Sequence, residues 1–297
     1  MPSRTLRAAT RASPLARWQA ELVAALLQAV DPEVEVELVV VDTQGDRRLD
    51  VPIWELGGKG VFAKEVQSAV LDGRADLAVH SAKDLPSVSV PGLVIAAVPE
   101  RGDPRDALVG ATLGQLPPAA EVASGSLRRQ VELWRHRPDL RFVSLRGNMQ
   151  TRLAKAAEHD AIVVAAAALD RLGLADRIAE RLSTDTVVPQ VGQGALAVEC
   201  RDGDVELRAL LAEVEHAPTR RCVDAERAFL AELGGDCSLP AGAHAEIIGE
   251  RIRMQAFLAS PDGRTRLWRS DTGDTASLGA AVARSLLDGG GRRLLGR

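Results

Sequence analysis

The sequence predicts an α/β protein with mostly parallel sheets, followed by a C-terminal α+β region with an antiparallel sheet. Short apolar runs of strand length recur along the chain, and segments with apolar residues at helical spacing lie between them. Strands that alternate with helices in this way are typical of parallel sheets covered by helices. Toward the C-terminus the strands follow one another directly, which favours antiparallel pairing.

A first set of strands and helices occupies the N-terminal part. The run VEVELVVV becomes fully apolar, as in a buried strand, and Pro14 opens a helical pattern at a position where proline is tolerated. The predicted strands are 5–10, 34–41, 75–81 and 92–98, and the predicted helices are 14–30 and 61–72.

A second set lies between two segments of linker composition, PERGDPRD (99–106) and PQVGQG (189–194). Three strand-to-helix units begin there, at residues 120, 139 and 160, and a further strand is predicted after the second linker, at 195–200. The C-terminal region has predicted helices at 218–232 and 275–288 and predicted strands at 243–249, 251–259 and 264–270.

The composition excludes some classes of function. A net charge of -4 and an aromatic content of 3% supply little for phosphate contacts or base stacking, so nucleic-acid binding is not expected. The three cysteines match no zinc or disulfide spacing, which indicates free thiols in a reducing compartment. No apolar segment has the length of a signal peptide or of a membrane span, so we expect a cytoplasmic protein without membrane contact.

Cys237 differs from the other two cysteines in its surroundings. It lies in LGGDCSLPAG (233–242), where glycines precede it and a Pro-Ala-Gly turn follows. Cys200 ends an apolar strand and Cys222 lies in a predicted helix, so both are expected to be buried and structural. A thiol on a flexible loop can reach another group, which makes Cys237 a candidate for covalent chemistry.

Arginines cluster in the middle of this acidic chain. Ser126 is a predicted N-cap that places Arg128 and Arg129 in the first turn of a helix, while Arg146 and Arg152 flank the next junction. Backbone N–H groups at such junctions bind anions, and guanidinium groups bind carboxylates with two hydrogen bonds. We therefore expect a small polyanionic ligand. Three other arginines are expected on a solvated face: Arg135, Arg137 and Arg141.

The segment HSAKDLP (80–86) delivers Ser81, Lys83 and Asp84 to a loop at the end of an apolar strand. Enzymes of the α/β class place reactive groups at this edge, where a carboxylate can stabilise a developing cation or relay a proton. The alternative is a surface turn whose ion pair adds little stability. The glycines of GGKG (57–60) lack the spacing of a phosphate loop, and the 5 histidines lack metal-ligand spacing, so no metal is predicted.

Taken together, these segments resemble the porphobilinogen deaminase family, also called hydroxymethylbilane synthase. The resemblance runs from about residue 4 to beyond residue 250, and the family motifs occur in order: RAATRASPLA, GGKGVFAKE, HSAKDLP, DPRDALV, SGSLRRQ, SLRGNMQTRL, VGQGALAVECR and GGDCSLPAG. It implies two α/β domains similar to the halves of type II periplasmic binding proteins, joined by hinge segments, and a smaller C-terminal α+β domain with an antiparallel sheet. The implied domains are 1–98 plus 195–213, 103–188, and 217–297.

The resemblance also implies an activity. Members of the family join four porphobilinogen molecules head to tail on a covalently bound dipyrromethane primer, releasing ammonia and finally hydroxymethylbilane, in tetrapyrrole (heme and porphyrin) biosynthesis. Cys237 matches the residue that holds the primer through a thioether, and Asp84 matches the catalytic aspartate. A monomer is expected, with porphobilinogen as its small-molecule substrate.

Other residues match the family's binding positions. Those implied to contact the cofactor, besides Cys237 and Asp84, are Ser81, Lys83, Ser126, Arg128, Arg129 and Arg146. Those implied to contact the substrate are Arg11, Ser13, Arg146, Arg152, Arg171 and Gln193. Two departures are visible: Glu55 stands where some members have a lysine, and SGSLRR replaces a commoner threonine-serine-serine sequence.

Two alternatives belong to other classes of protein. A periplasmic-type binding protein would share the two-domain architecture, but the cysteine loop and the absence of a signal peptide speak against it. A nucleic-acid-binding protein could use the central arginines, but the acidic balance and the scarcity of aromatic residues speak against that.

Overall fold

A computed structural model describes residues 4–43, 45, 60–234 and 239–296. Cys237, Glu55 and the first three residues of GGKG lie outside the described residues. The chain forms two compact units. The first comprises the residues up to Arg101 together with Ala195–Arg220, and the second comprises Gly102–Gly194 together with Arg221–Arg297.

The first unit contains a five-stranded sheet with the strand order β2-β1-β3-β10-β4. Strand β1 is parallel to β2 and β3, whereas β10 is antiparallel to both of its neighbours. The strands are β1 (Arg4–Arg11), β2 (Val34–Val41), β3 (Leu77–Ser81), β4 (Leu93–Ala97) and β10 (Leu196–Arg201). Its helices include α1 (Pro14–Val30), α2 (Lys64–Leu71) and α6 (Val205–Ala212).

Both faces of this sheet are buried. Ala8 of β1 belongs to an apolar cluster with Leu27 of α1, whereas the next residue, Ala9, belongs to a cluster with Val66 of α2. Successive side chains of a strand point to opposite faces, so one short apolar strand supplies both cores. This explains why the inner strands β3 and β10 appear in the sequence as continuous apolar runs. The prediction of a buried strand at 34–41 is wrong for most of its residues, because β2 lies at the edge of the sheet and Val40 is 42% exposed.

The second unit contains a five-stranded sheet with the order β7-β6-β8-β5-β9, in which β5 is antiparallel to both β8 and β9. Strand β6 is parallel to β7 and β8. The strands are β5 (Asp106–Val109), β6 (Glu121–Ala123), β7 (Arg141–Val143), β8 (Ala161–Ala165) and β9 (Glu180–Arg181). The helices are α3 (Leu127–His136), α4 (Met149–Ala154) and α5 (Ala166–Arg171).

The second unit also contains a three-stranded antiparallel sheet near the C-terminus, in the order β11-β12-β13. Its strands are β11 (Ala241–Ile248), β12 (Arg251–Ala259) and β13 (Arg266–Gly273), and its helices are α7 (Ala217–Leu233), α8 (Ser277–Leu286) and α9 (Arg292–Leu294). Phe229 of α7 and Met254 of β12 lie in the core between sheet and helices.

The predicted α/β class with a C-terminal antiparallel sheet is confirmed, but each five-stranded sheet is mixed, with two parallel and two antiparallel strand pairs. The predicted bounds of α1, β2 and β12 agree with the structure. Strands β5 and β9 were not predicted, because Asp106, the first residue of β5, lies in the linker predicted at 99–106 and β9 has only two residues. Within the described residues, no helix is long and apolar enough to cross a membrane.

Candidate active site

Strands β1 and β3 bring two groups of predicted residues to one edge of the first sheet. Because the strands are parallel neighbours, their carboxyl ends lie on the same side. Strand β3 ends at Ser81, and a single 3₁₀ turn follows with Lys83 and Asp84. Asp84 is half-buried, and its carboxylate forms no hydrogen bond or ion pair with the described residues. The turn therefore presents a carboxylate that has no structural partner in the described part of the fold.

Ser81 is held by Gln19, which was not among the predicted site residues. The side-chain amide of Gln19, which is buried in α1, donates to Ser81 Oγ at 2.9 Å, and Ser81 Oγ lies 3.2 Å from Gln19 Oε1. A buried amide in an otherwise apolar helix face was the signal available in the sequence. This pair fixes the end of β3, directly before Asp84.

Arg11 and Ser13 lie at the end of β1. The guanidinium carbon of Arg11 lies 4.2 Å from the centroid of the Phe62 ring, a cation–π arrangement. Ser13 caps α1, since its Oγ accepts the backbone N–H of Ala16 at 3.3 Å. The cap fixes the direction in which the chain leaves the strand.

In the second unit, Arg128 and Arg129 converge on one buried carboxylate, that of Asp106. Arg128 Nη2 lies 2.8 Å from Asp106 Oδ2, and Arg129 Nη2 lies 2.7 Å from Asp106 Oδ1. Both arginines lie in the first turn of α3, as predicted, whereas Asp106 was not predicted as a site residue. A carboxylate that opens a short, fully buried strand was the available signal.

This cluster contains two cations and one anion, all buried. Burial alone would raise the pKa of Asp106, but the two guanidinium groups and the hydrogen bonds outweigh it and lower the pKa to about 2. Burial lowers the pKa of Arg128, whose Nη1 donates to Val188 O at 2.6 Å. Arg128 Nε is buried without a hydrogen-bond partner among the described residues. The cluster therefore has an excess positive charge and an unused donor, which suit an anionic ligand.

Gln193 belongs to the same cluster. It is buried, and its Nε2 donates to Pro104 O at 2.7 Å and to Asp106 Oδ1 at 3.0 Å. The structure thus brings together three residues predicted separately from SGSLRR and VGQG.

Arg171 lies at the end of α5, where its Nη2 donates to Gly194 O at 2.6 Å. Burial lowers the pKa of Arg171 to about 10, although Asp170 acts in the opposite direction. A cation that is desolvated in this way gains from any anion placed beside it.

The remaining predicted residues surround the starts of α3 and α4. Ser126 is the N-cap of α3, but its side chain makes no capping hydrogen bond. Arg146 lies between β7 and α4, and the Nε of Arg152 donates to Gly147 O at 2.8 Å. Strands β6 and β7 are parallel neighbours, so both junctions lie at one edge of the second sheet.

The fold and these residues define a class of protein: an α/β protein with a carboxylate after one strand and a buried arginine–aspartate cluster at the start of a helix. Two family models match the chain. "Porphobilinogen deaminase, dipyromethane cofactor binding domain" matches residues 6–209, and "Porphobilinogen deaminase, C-terminal domain" matches residues 220–288. The chain belongs to the porphobilinogen deaminase family. It is an enzyme of tetrapyrrole biosynthesis that polymerises porphobilinogen, as the resemblance implied.

Full-length relatives carry the same name. The chain is 48% identical to "Porphobilinogen deaminase" of Syntrophotalea carbinolica, over 99% of this chain and 96% of that one. It is 46% identical to "Porphobilinogen deaminase" of Syntrophus aciditrophicus, over 98% of this chain and 97% of that one.

Solved structures show more distant likenesses. The methionine binding protein MetQ is 12% identical with a TM-score of 0.44, covering 72% of this chain and 90% of that chain. The periplasmic aliphatic sulphonate binding protein SsuA of Escherichia coli is 15% identical with a TM-score of 0.42, covering 78% of this chain and 70% of that chain.

Proposed function

We propose that Cys237 holds the dipyrromethane primer through a thioether, and that Asp84 and the arginines named above act on the growing chain. The observation that carries the binding part of this proposal is the buried Arg128–Arg129–Asp106 cluster. Its excess positive charge and the unpartnered Arg128 Nε fit a group that bears carboxylates.

The properties of the other two cysteines support the choice of Cys237 as the attachment site. Cys200 and Cys222 are buried free thiols, and burial raises the pKa of Cys200 to about 11. A thiol reacts as its thiolate, so a high pKa and a buried position make these two poor nucleophiles. Cys237 lies in the segment between the end of α7 at Leu233 and the start of β11 at Ala241. We assign the covalent attachment to this thiol.

Each proposed residue has a task that follows from its chemistry. The bound dipyrromethane supplies the pyrrole carbon to which the first substrate is joined. The residues that would hold its carboxylates and those of the growing chain are Arg11, Ser13, Ser81, Lys83, Ser126, Arg128, Arg129, Arg146, Arg152, Arg171 and Gln193. Guanidinium groups suit this task because two parallel hydrogen bonds fix the orientation of each carboxylate.

Asp84 would act on the charge that develops in the substrate. When the aminomethyl group of porphobilinogen loses ammonia, the pyrrole becomes cationic, and a nearby carboxylate stabilises that charge. The Asp84 carboxylate is suited to this role because it forms no hydrogen bond or ion pair with any described side chain or backbone group. The same oxygen atoms can then accept the proton that leaves the newly joined ring.

The proposal includes a monomer in the cytoplasm that binds no nucleic acid. The support is the net charge of -4, the scarcity of aromatic side chains and the two free thiols in the described residues.

Replacing single cysteines tests the attachment. Cys237→Ala should abolish the formation of hydroxymethylbilane from porphobilinogen, because the primer has no thiol to join. Cys222→Ala is the matched control, since it removes a buried thiol from the core and should leave the product yield per folded chain unchanged. Product formation by Cys237→Ala at the wild-type rate would exclude the thioether.

A further inference from the structure

A second buried carboxylate lies one helical turn from Arg128. Glu132 is fully buried on α3, four residues after Arg128, and side chains at this spacing are neighbours on a helix. Both residues hold the backbone of Val188. Glu132 Oε2 accepts the N–H of Val188 at 3.2 Å, and Arg128 Nη1 donates to the carbonyl oxygen of Val188 at 2.6 Å.

Glu132 is neutralised by an arginine from the C-terminal sheet. Arg266 of β13 donates through Nε to Glu132 Oε1 at 2.5 Å and through Nη2 to Glu132 Oε2 at 3.2 Å. The Arg266 side chain is only 17% exposed, and its guanidinium carbon lies 5.0 Å from the centroid of the Phe257 ring. Such a two-pronged ion pair satisfies a buried carboxylate that would otherwise be costly.

The Arg266 charge decides which partner Glu132 has. Without it, the fold would contain a buried carboxylate whose neighbour one turn earlier is Arg128. Burial lowers the pKa of Arg128, while the carboxylates of Asp106 and, more weakly, Glu132 act in the opposite direction. The Arg128 guanidinium would then face two carboxylates instead of one, and the excess positive charge of the cluster would disappear.

We propose that Arg266 is a positioning residue for the anion site: by pairing with Glu132 it keeps that carboxylate from Arg128, which stays available to a ligand carboxylate. The proposal rests on the proposed function, in which Arg128 and Arg129 bind carboxylates. It gives the C-terminal sheet a role in the electrostatics of the anion site.

Simple docking of the C-terminal sheet does not require this ion pair. Val131 of α3 and Val188 already form a buried apolar cluster with Phe257 and Ala259 of β12. Apolar contacts of this kind hold two elements together without a charge pair. The electrostatic role and the docking role can therefore be separated by changing charge alone.

The test measures how readily the chain acquires its primer. Chains are produced in a host that makes no porphobilinogen, and the porphobilinogen concentration needed for half-maximal covalent loading is read by intact mass. Arg266→Met should raise this concentration about tenfold, within the usual range of coupling between neighbouring charges. Arg253→Met is the control, because it breaks an exposed ion pair with Glu246 on the same sheet and should change nothing.

The double variant distinguishes the two roles. In Arg266→Met with Glu132→Gln, Asp106 is again the one carboxylate beside Arg128 within this cluster, as in the wild type, so loading should return to within about twofold of the wild type. Glu132→Gln alone should load at or below the wild-type concentration, and it keeps the test usable if Arg266→Met does not fold. Weak loading by Glu132→Gln, or by the folded double variant, would overturn the proposal. If the wild type does not load at any concentration, the proposed function itself fails.

Discussion

Asp84 is placed by the backbone rather than by its own contacts. The strand β3 ends one turn before it, and its carboxylate has no hydrogen-bond or ion-pair partner within the described residues. A carboxylate without such partners contributes little to the free energy of unfolding. A substitution of Asp84 should therefore change turnover without changing stability.

Asp84→Asn should reduce turnover by about 10² to 10³, because the amide cannot stabilise the developing cation. The unfolding free energy should change by less than about 0.5 kcal/mol. Steady-state product formation and urea unfolding check the two parts. Asp72→Asn is the control, since that carboxylate is exposed, and it should leave both quantities unchanged. Turnover of Asp84→Asn near the wild-type rate would remove Asp84 from the mechanism.

Asp106 should make the stability of the protein depend on acid pH. Its pKa of about 2 in the folded protein lies below the usual value of 3.8, so its carboxylate stabilises the fold above about pH 4. That contribution is lost as the pH falls through the folded-state pKa. Asp106→Asn should therefore cost about 3 kcal/mol at pH 7, because it leaves two buried guanidinium groups without their counter-charge.

The difference between wild type and Asp106→Asn should shrink as the pH falls from 4 toward 2, as measured by urea unfolding at several pH values. A difference that is constant over that range would show that the charge of Asp106 does not stabilise the fold.

At the scale of elements, the segment before β10 is held by backbone geometry and by one buried carboxylate. Glu226 of α7 accepts the N–H of Gly192 at 2.7 Å and the N–H of Ala245 at 2.8 Å. Gly194 follows with a φ of 84°, and its carbonyl oxygen accepts the N–H of Gly102 at 3.0 Å and a hydrogen bond from Arg171. These contacts fix the segment that carries Gln193.

Gly194→Ala should destabilise the protein by more than about 2 kcal/mol. The alanine would have a positive φ, and its Cβ would lie 2.6 Å from Gly102 O and 2.9 Å from Asp103 O. Gly203→Ala is the matched control, because a Cβ there meets no atom within 4 Å. Thermal unfolding compares the two, and equal melting temperatures would contradict the strain at Gly194.

At the scale of the whole molecule, the two five-stranded sheets have the same topology. In each sheet the first three strands in the order are parallel, and the fourth is antiparallel to its neighbours: β10 in the first sheet and β5 in the second. Strand β5 is the first strand after the chain passes into the second unit at Gly102, and β10 is the first strand after the chain returns to the first unit at Ala195. No internal sequence repeat accompanies this similarity of topology, because different side chains can satisfy the same pattern of burial.

The sequence was sufficient for the long elements and insufficient for the charge partners. Apolar periodicity predicted α1 and β2 with the bounds observed, since burial on one or two faces dictates their composition. Strand β9 has only two residues, too short for any periodic pattern. Asp106 and Glu132 were missed because their partners are far away in the sequence, and only the fold shows that arginines from other elements pair with them.

The family motifs identified candidate site residues that the fold then placed at strand ends and helix starts. Gln193 and Arg129 came from separate motifs, and the structure joins them through Asp106. Their assigned tasks toward the cofactor and the substrate remain proposals, and the covalent attachment of the primer is the most direct of these to measure.

Intact-protein mass spectrometry of the purified wild-type chain, followed by peptide mapping, tests the central claim. We predict an added dipyrromethane on the peptide that contains Cys237, and further increments of one pyrrole unit each when porphobilinogen is supplied. A chain that remains unmodified after incubation with porphobilinogen, or that carries the addition on a peptide without Cys237, would contradict the account.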